Sequence, residues 1–148
     1  MDYDDILNVL APCGLNCSKC LAYKDGDIKR SASELKRLLG EFDSYVETFS
    51  KISPVFENYP SFKKLLDHFA QASCEGCRNG SCVYPNCVVA SCCKREGVDF
   101  CFQCTGYPCD KTNFDPALKE IWLKINNLMK EKGIERYLEE SKDLPRYA

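Results

Sequence analysis

Residues 11–26 have the sequence APCGLNCSKCLAYKDG, in which the cysteines follow a C-x3-C-x2-C spacing. Two residues between Cys17 and Cys20 allow a tight backbone turn that directs both sulfurs toward one ion. With Cys13, the stretch offers three thiols and needs a fourth ligand from elsewhere. The spacing suits an iron–sulfur cluster, three corners of a zinc site, or part of a disulfide framework.

The remaining nine cysteines lie between residues 74 and 109, and residues 21–73 contain none. They are Cys74, Cys77, Cys82, Cys87, Cys92, Cys93, Cys101, Cys104 and Cys109. The chain therefore has three C-x2-C pairs, which begin at Cys17, Cys74 and Cys101. Three such pairs in one short chain favour metal binding.

The composition argues against nucleic-acid-binding, membrane and secreted proteins. The 148 residues suggest a single domain, residues 1–148, and the net charge of -2 gives no basic excess of the kind that nucleic-acid binding requires. No apolar run is long enough for a transmembrane helix, and the acidic start MDYDDILNVL lacks the basic region of a signal peptide. We therefore expect a cytoplasmic protein without a membrane partner, where clustered cysteines bind metal or react more often than they form disulfides.

The segments beside the cysteines have helical patterns. In residues 31–72, apolar residues recur at helical spacing, Ser31 and Glu34 fit a capping box, and a second helix is expected after Pro60. In residues 115–141, Asp115 fits an N-cap before Pro116, and Gly133 fits a helix stop before a second short helix.

Residues 74–112 are irregular by contrast. Glycine and proline interrupt them throughout, which predicts turns, one helical turn and a short β-hairpin. The segment has too little apolar surface to fold without a staple, and metal ions can provide one. The expected fold is mainly α with a small, irregular, cysteine-rich and metal-stapled region, to which the 11–26 cysteine loop also belongs.

The single histidine, His68, excludes metal sites built from several histidines and leaves sites made of cysteine. Zinc is favoured, because it binds tetrahedral thiolate sets assembled from C-x2-C pairs. The iron–sulfur alternative rests on the first motif, whose spacing is that of radical S-adenosylmethionine enzymes, but this chain is too short for their barrel. The spacing from Cys101 to Cys109 also departs from that of bacterial ferredoxins.

The ligand set expected from these patterns leaves out one of two adjacent cysteines, Cys92 and Cys93, because neighbouring side chains usually diverge. One of the two is interpreted as a packed thiol. The predicted metal ligands are Cys13, Cys17, Cys20, Cys74, Cys77, Cys82, Cys87, Cys92, Cys101, Cys104 and Cys109. Basic side chains near them would relieve the thiolate charge: Lys19, Lys24, Arg78, Lys94, Arg95 and Lys111.

Three motifs, CGLNCSKCLAY, CEGCRNGSC and CKREGVDFCFQCTGYPC, resemble the cysteine-rich prokaryotic family called domain of unknown function 3795. The resemblance implies metal binding, with zinc the expected metal, and no assigned activity. It selects Cys13, Cys17, Cys20, Cys74, Cys77, Cys87, Cys92, Cys101, Cys104 and Cys109 as recurrent cysteines. Cys82 also fits, whereas Cys93 stands where a small residue is common.

The predicted function is therefore that of a cytoplasmic metal-binding protein with two or three structural zinc sites and a binding or scaffolding role toward a protein partner. The alternatives are an iron–sulfur or thiol-redox protein and, less favoured, a nucleic-acid-binding zinc module. No catalytic residues are predicted. The fourth ligand of the N-terminal loop is expected from residues 74–109, with Cys109 as the first candidate.

Overall fold

The computed structural model describes residues 1–80 and 82–147, and these residues are mainly helical, which confirms the predicted fold class. The helices are α1 Tyr3–Val9, α2 Asp27–Leu39, α3 Val46–Ile52, α4 Tyr59–Ala70, α5 Val89–Glu96, α6 Pro116–Lys132 and α7 Ile134–Ser141. The described residues contain no β-strand, and an isolated antiparallel bridge joins Leu10 and Asn16, so the short hairpin is not seen in them. Residues 74–112 contain α5 and several turns instead. None of the described helices combines the length and apolar character needed to cross a bilayer.

The chain forms two compact units. One consists of Met1–Cys20 together with Cys74–Ala148, and the other is Leu21–Ser73. All twelve cysteines belong to the first unit, and all are free thiols. The helical residues between the two cysteine groups thus form an insertion with its own contacts.

Helices α2 and α4 are the main partners within the inserted unit. Helix α2 starts at Asp27, so the expected N-cap residue Ser31 lies inside the helix and not at its start. The helix ends at Gly40, which adopts a φ of 51°. An ion pair of 2.7 Å between Lys36 and Asp67 links α2 to α4. The aromatic rings of this unit pack in one cluster with centroid distances between 4.9 and 6.0 Å, formed by Phe42, Phe49, Phe56, Tyr59 and Phe62.

The core of the cysteine-containing unit joins residues that are far apart in sequence. It consists of Ile6, Leu10, Phe100, Met129 and Leu138, each at most 8% exposed. Helix α1 brings Ile6 into this core and is capped by Asp2, whose carboxylate accepts a 2.9 Å hydrogen bond from the backbone N–H of Asp4. The core therefore places α1, α6 and α7 around the segment that carries Cys101.

Helix α6 begins and ends at local signals. The side chain of Asp115 accepts a 2.9 Å hydrogen bond from the N–H of Leu118, and Pro116 occupies the first turn. At the other end, Gly133 adopts a φ of 89°, which favours glycine, and α7 follows at once. The buried face of α6 carries Trp122, Asn126 and Met129, and it is this face that meets the cysteine segments.

Candidate metal centre

The N-terminal cysteine loop lies directly against α6. Gly14, between the first two cysteines, has a φ of 89°. A Cβ atom at this position would lie 2.5 Å from Cγ2 of Ile125 and 2.6 Å from Cε of Met129. Both the backbone conformation and the close approach therefore require glycine here. This explains the glycine of the CGLNC motif without any direct role in metal binding.

Two of the three C-x2-C pairs flank the same kind of tight turn. Short 3₁₀ turns cover Cys17–Lys19 and Cys101–Gln103. The N–H of Cys20 donates to the carbonyl of Cys17 at 2.9 Å, and the N–H of Cys104 donates to the carbonyl of Cys101 at 3.1 Å. The shared turn supports the expectation that two intervening residues reverse the backbone between the two thiols.

Backbone contacts join these two cysteine turns. The N–H of Cys101 donates to the carbonyl of Pro12 at 3.0 Å. The fully buried side chain of Asn126 donates to the carbonyl of Cys13 at 2.9 Å and accepts from the N–H of Phe102 at 3.1 Å. Helix α6 thus fixes the relative position of cysteine segments that are far apart in sequence.

Arg78 attaches the third cysteine segment, the one that begins at Cys74. Its guanidinium donates to the carbonyl of Leu10 at 3.1 Å and to the carbonyl of Asp99 at 2.8 Å. The same group lies over the ring of Phe100, 4.9 Å from its centroid. Arg78 was expected to relieve thiolate charge, and its charge does help to lower the pKa of Cys93. Its contacts with these carbonyls give it a structural role as well.

Four thiols form a connected set, which we call the Cys77 group: Cys17, Cys77, Cys82 and Cys87. Cys77 interacts with Cys17 and Cys82, and Cys82 interacts in turn with Cys87. Donation from Cys77 lowers the pKa of Cys17 to about 6. Donation from Cys77 and Cys87 lowers the pKa of Cys82, while the pKa values of these two donors are raised. The group unites one thiol of the N-terminal loop with three from residues 77–87.

A second thiol contact involves the cysteine that sequence reasoning left out. The sulfurs of Cys93 and Cys101 lie 3.8 Å apart, and Cys93 is 4% exposed. The interaction lowers the pKa of Cys93 and raises that of Cys101. On α5, Cys92 points elsewhere and accepts a 3.4 Å contact from the guanidinium of Arg95. The two adjacent side chains diverge as expected, and Cys93 is the one that meets another thiol.

Backbone N–H groups point at several sulfurs. The donor is two residues after its cysteine in each case, at 3.4 Å: Gly76 to Cys74, Tyr84 to Cys82, and Gly106 to Cys104. The N–H groups of Leu15 and Val89 similarly act to lower the pKa of Cys13 and Cys87, although burial of Cys13 raises its pKa to about 12 overall. Such donors stabilise the thiolate, which is the form that binds metal.

The C-terminal residues place a cation beside the Cys77 group. Arg146 donates to the carbonyl of Asn16 at 2.6 Å, and its charge helps to lower the pKa of Cys17 and Cys82. Lys19, also expected to relieve thiolate charge, instead donates to the carbonyls of Ser141, Lys142 and Leu144. Arg146 therefore relieves thiolate charge although the local pattern did not single it out. Of the predicted residues, Arg95 contacts the sulfur of Cys92, and the charge of Arg78 helps to lower the pKa of Cys93.

The other predicted ligands are less closely associated. Cys20 lies 3.9 Å from the hydroxyl oxygen of Tyr147, and Cys74 accepts the N–H of Gly76 at 3.4 Å. Across residues 1–80 and 82–147, no three His, Cys, Asp or Glu side chains converge tightly enough to hold an ion in their present positions. The thiol contacts are pairwise.

A family model described as Protein of unknown function (DUF3795) matches residues 9–114. The chain belongs to this family. The match covers more than half of the sequence and includes every cysteine, from Cys13 to Cys109. No curated protein and no solved structure showed significant similarity to the chain.

In this DUF3795 member, several side chains that contact the cysteine segments lie beyond the matched residues, among them Trp122, Asn126 and Arg146. None was predicted as part of the site. Asn126 had a usable signal, because it is a polar residue within the apolar stripe of α6, and a buried amide needs hydrogen-bonding partners. For Arg146 the sequence contained no such signal, because its partner Asn16 is remote in sequence.

Proposed function

We propose that the protein binds zinc through its cysteines and that the Cys77 group is its principal structural site. One observation carries this proposal: a thiol of the N-terminal loop, Cys17, interacts with a connected set of thiols from residues 77–87. Loop segments that are remote in sequence and short of apolar surface gain fixed positions when they share a metal ion.

The chemistry of the donor set favours zinc. Four thiolates around Zn²⁺ make a closed tetrahedral site of the structural kind. Such a site carries a net charge of about -2, which the Arg146 guanidinium next to Asn16 would partly neutralise. The N–H groups directed at Cys82 and Cys87 would further stabilise the bound thiolates.

One thiol pair of the cysteine-containing unit has a sulfur separation that suits zinc. A Zn–S bond of about 2.3 Å places neighbouring sulfurs of a tetrahedron roughly 3.8 Å apart. The sulfurs of Cys93 and Cys101 have this separation of 3.8 Å.

The role that follows is binding or scaffolding in a reducing cytoplasm. Structural zinc provides roughly 10–16 kcal/mol of apparent binding free energy at neutral pH, which compensates for the small apolar core around residues 74–88. Zinc here would act through the fold, holding surfaces in place for a protein partner.

The test compares metal stoichiometry in two variants of the same segment. Cys82→Ser removes a thiol that contacts two others, and we expect it to lose one bound zinc per chain. Val83→Ser changes the adjacent side chain, which is 60% exposed, and should keep the full metal content. Equal zinc content in both variants would refute the assignment of the Cys77 group. Iron with acid-labile sulfide would favour the cluster alternative, and salt-sensitive retention on DNA or RNA would favour the nucleic-acid alternative.

A further inference from the structure

The indole N–H of Trp122 is buried without a regular hydrogen-bonding partner. Trp122 is 1% exposed, and its Nε1 atom makes no hydrogen bond of ordinary geometry to any described residue. A buried tryptophan usually satisfies its N–H group, so an unpaired one requires an explanation.

The ring is held firmly in this position. Tyr107 and Phe114 pack edge-on against it, with centroid distances of 5.2 and 6.4 Å. One turn further along α6, Asn126 donates to the carbonyl of Trp122 at 2.9 Å while it also holds Cys13. The direction of the N–H group is therefore fixed by the same contacts that fix the cysteine segments.

The acceptor beside the indole is the sulfur of Cys101. The indole N–H lies near this sulfur without making a regular hydrogen bond to it. A neutral thiol is a weak acceptor, whereas a metal-bound thiolate is a strong one. An unpaired donor facing Cys101 is thus what a metal-bound state of this sulfur needs.

We propose that Cys93 and Cys101 are ligands of a second metal ion, separate from the Cys77 group, and that Trp122 is a positioning residue that donates its indole N–H to the Cys101 thiolate of that site. The inference rests on the proposed function, because it takes the same kind of metal as the ligand. Its own support is the 3.8 Å sulfur separation and the orphaned indole N–H.

A third thiol belongs to the same tight turn as Cys101. Cys104 is the C-x2-C partner of Cys101, and its sulfur accepts the N–H of Gly106 at 3.4 Å. Cys104 is therefore the candidate for a further coordination position, and Cys93 enters the ligand set in a position that the sequence pattern had assigned to packing.

The first experiment uses the only tryptophan of the chain as a reporter. In ¹⁵N-labelled protein the indole gives one cross-peak, which should shift on addition of ¹¹³Cd²⁺ and show coupling to the cadmium nucleus through the Cys101 sulfur. Bound cadmium with an unmoved and uncoupled indole peak would overturn the role of Trp122. Absence of any bound metal would instead refute the proposed function.

The second experiment compares variants by competition with a chromophoric zinc chelator. Cys93→Ser should reduce the stoichiometry by one ion. Trp122→Phe should weaken one of the two sites at least 10-fold, as expected when a donor to a metal ligand is lost. Ile121→Ala changes the neighbouring side chain on α6, which is 43% exposed, so it should leave both affinities within about 2-fold. Unchanged metal stoichiometry and affinity in Cys93→Ser would overturn the second site. If Trp122→Phe does not fold, the ¹⁵N spectrum of the unmodified protein with ¹¹³Cd²⁺ still decides the role of Trp122.

Discussion

The buried side chain of Asn126 donates a 2.9 Å hydrogen bond to the backbone carbonyl oxygen of Cys13. Its oxygen accepts from the N–H of Phe102 at 3.1 Å, next to Cys101. One amide on α6 thus holds two cysteine segments whose sequence positions are remote. Since neither contact involves a thiol, this part of the scaffold is in place independently of bound metal.

Replacement of Asn126 by Leu should therefore destabilise the protein strongly. It leaves the carbonyl of Cys13 and the N–H of Phe102 buried without a partner, so we expect the free energy of unfolding to fall by about 2–3 kcal/mol. Urea denaturation followed by circular dichroism measures the change. The control is Asn127→Leu on the exposed side of the same helix, where only a solvent-accessible contact with Tyr107 is lost. Equal costs for the two variants would contradict the bridging role of Asn126.

Gly14 allows a test of the close approach between the cysteine loop and α6. Gly14→Ala adds both left-handed backbone strain and a collision with Ile125 and Met129, and it should cost about 3 kcal/mol or more of unfolding free energy. Gly97 also has a positive φ, of 68°, but open space around it. Gly97→Ala should therefore cost only the backbone strain, about 1–2 kcal/mol. Similar midpoints in urea for the two variants would show that the loop does not press against α6.

The boundaries of α6 could be predicted from local signals in the sequence, whereas the expected capping box at Ser31 and Glu34 lies inside α2. Asp115, Pro116 and Gly133 act on the few residues beside them, so their pattern carried the needed information. Helix α1 was not predicted, because its seven residues are too few to show a clear period, and its stability depends on burial of Ile6 against Phe100 and Met129.

The candidate site could be predicted only in its residue types. The C-x2-C spacing identifies thiol pairs, but which pairs meet depends on contacts between distant segments. Adjacency to Cys92 gave no reason to choose between the two thiols, and Cys93 was assigned to packing because a small residue is common at its position in the family. Only the position of α5 brings Cys93 to Cys101. The predicted ligand set as a whole, the zinc ions and their number stay predictions.

Lys19 holds the residues that follow α7, and this contact can be tested by proteolysis. Its ammonium group donates to the carbonyls of Ser141 at 2.8 Å and Leu144 at 2.5 Å, at the C-terminal end of α7. Lys19→Met should expose this end and increase the rate of proteolytic cleavage after residue 141 several-fold. Limited proteolysis with mass spectrometry gives the rate, and Lys124→Met, at an exposed position in the middle of α6, is the control. An unchanged cleavage rate would exclude this anchoring role.

Arg146 should affect the pH dependence of metal binding. Its positive charge favours the thiolate forms of Cys17 and Cys82, so its removal raises their pKa values and makes protons compete better with metal. In Arg146→Gln, the pH at which half of the zinc is released should therefore move upward. Release can be followed with a chromophoric chelator during acid titration. The control is Arg136→Gln, which loses an exposed ion pair with Glu140 on α7 and should release zinc at the same pH as the unmodified protein. A shift of the same size in both variants would contradict the local effect of Arg146.

The most direct test of the central claim is the metal content of the full chain, purified without oxygen or added metal and measured by elemental analysis with native mass spectrometry. Our account predicts a colourless protein with about two zinc ions per chain, whose removal by a strong chelator loosens the cysteine-containing unit. A metal-free protein whose circular dichroism and urea midpoint do not respond to zinc, or a brown protein that contains iron and sulfide, would contradict it.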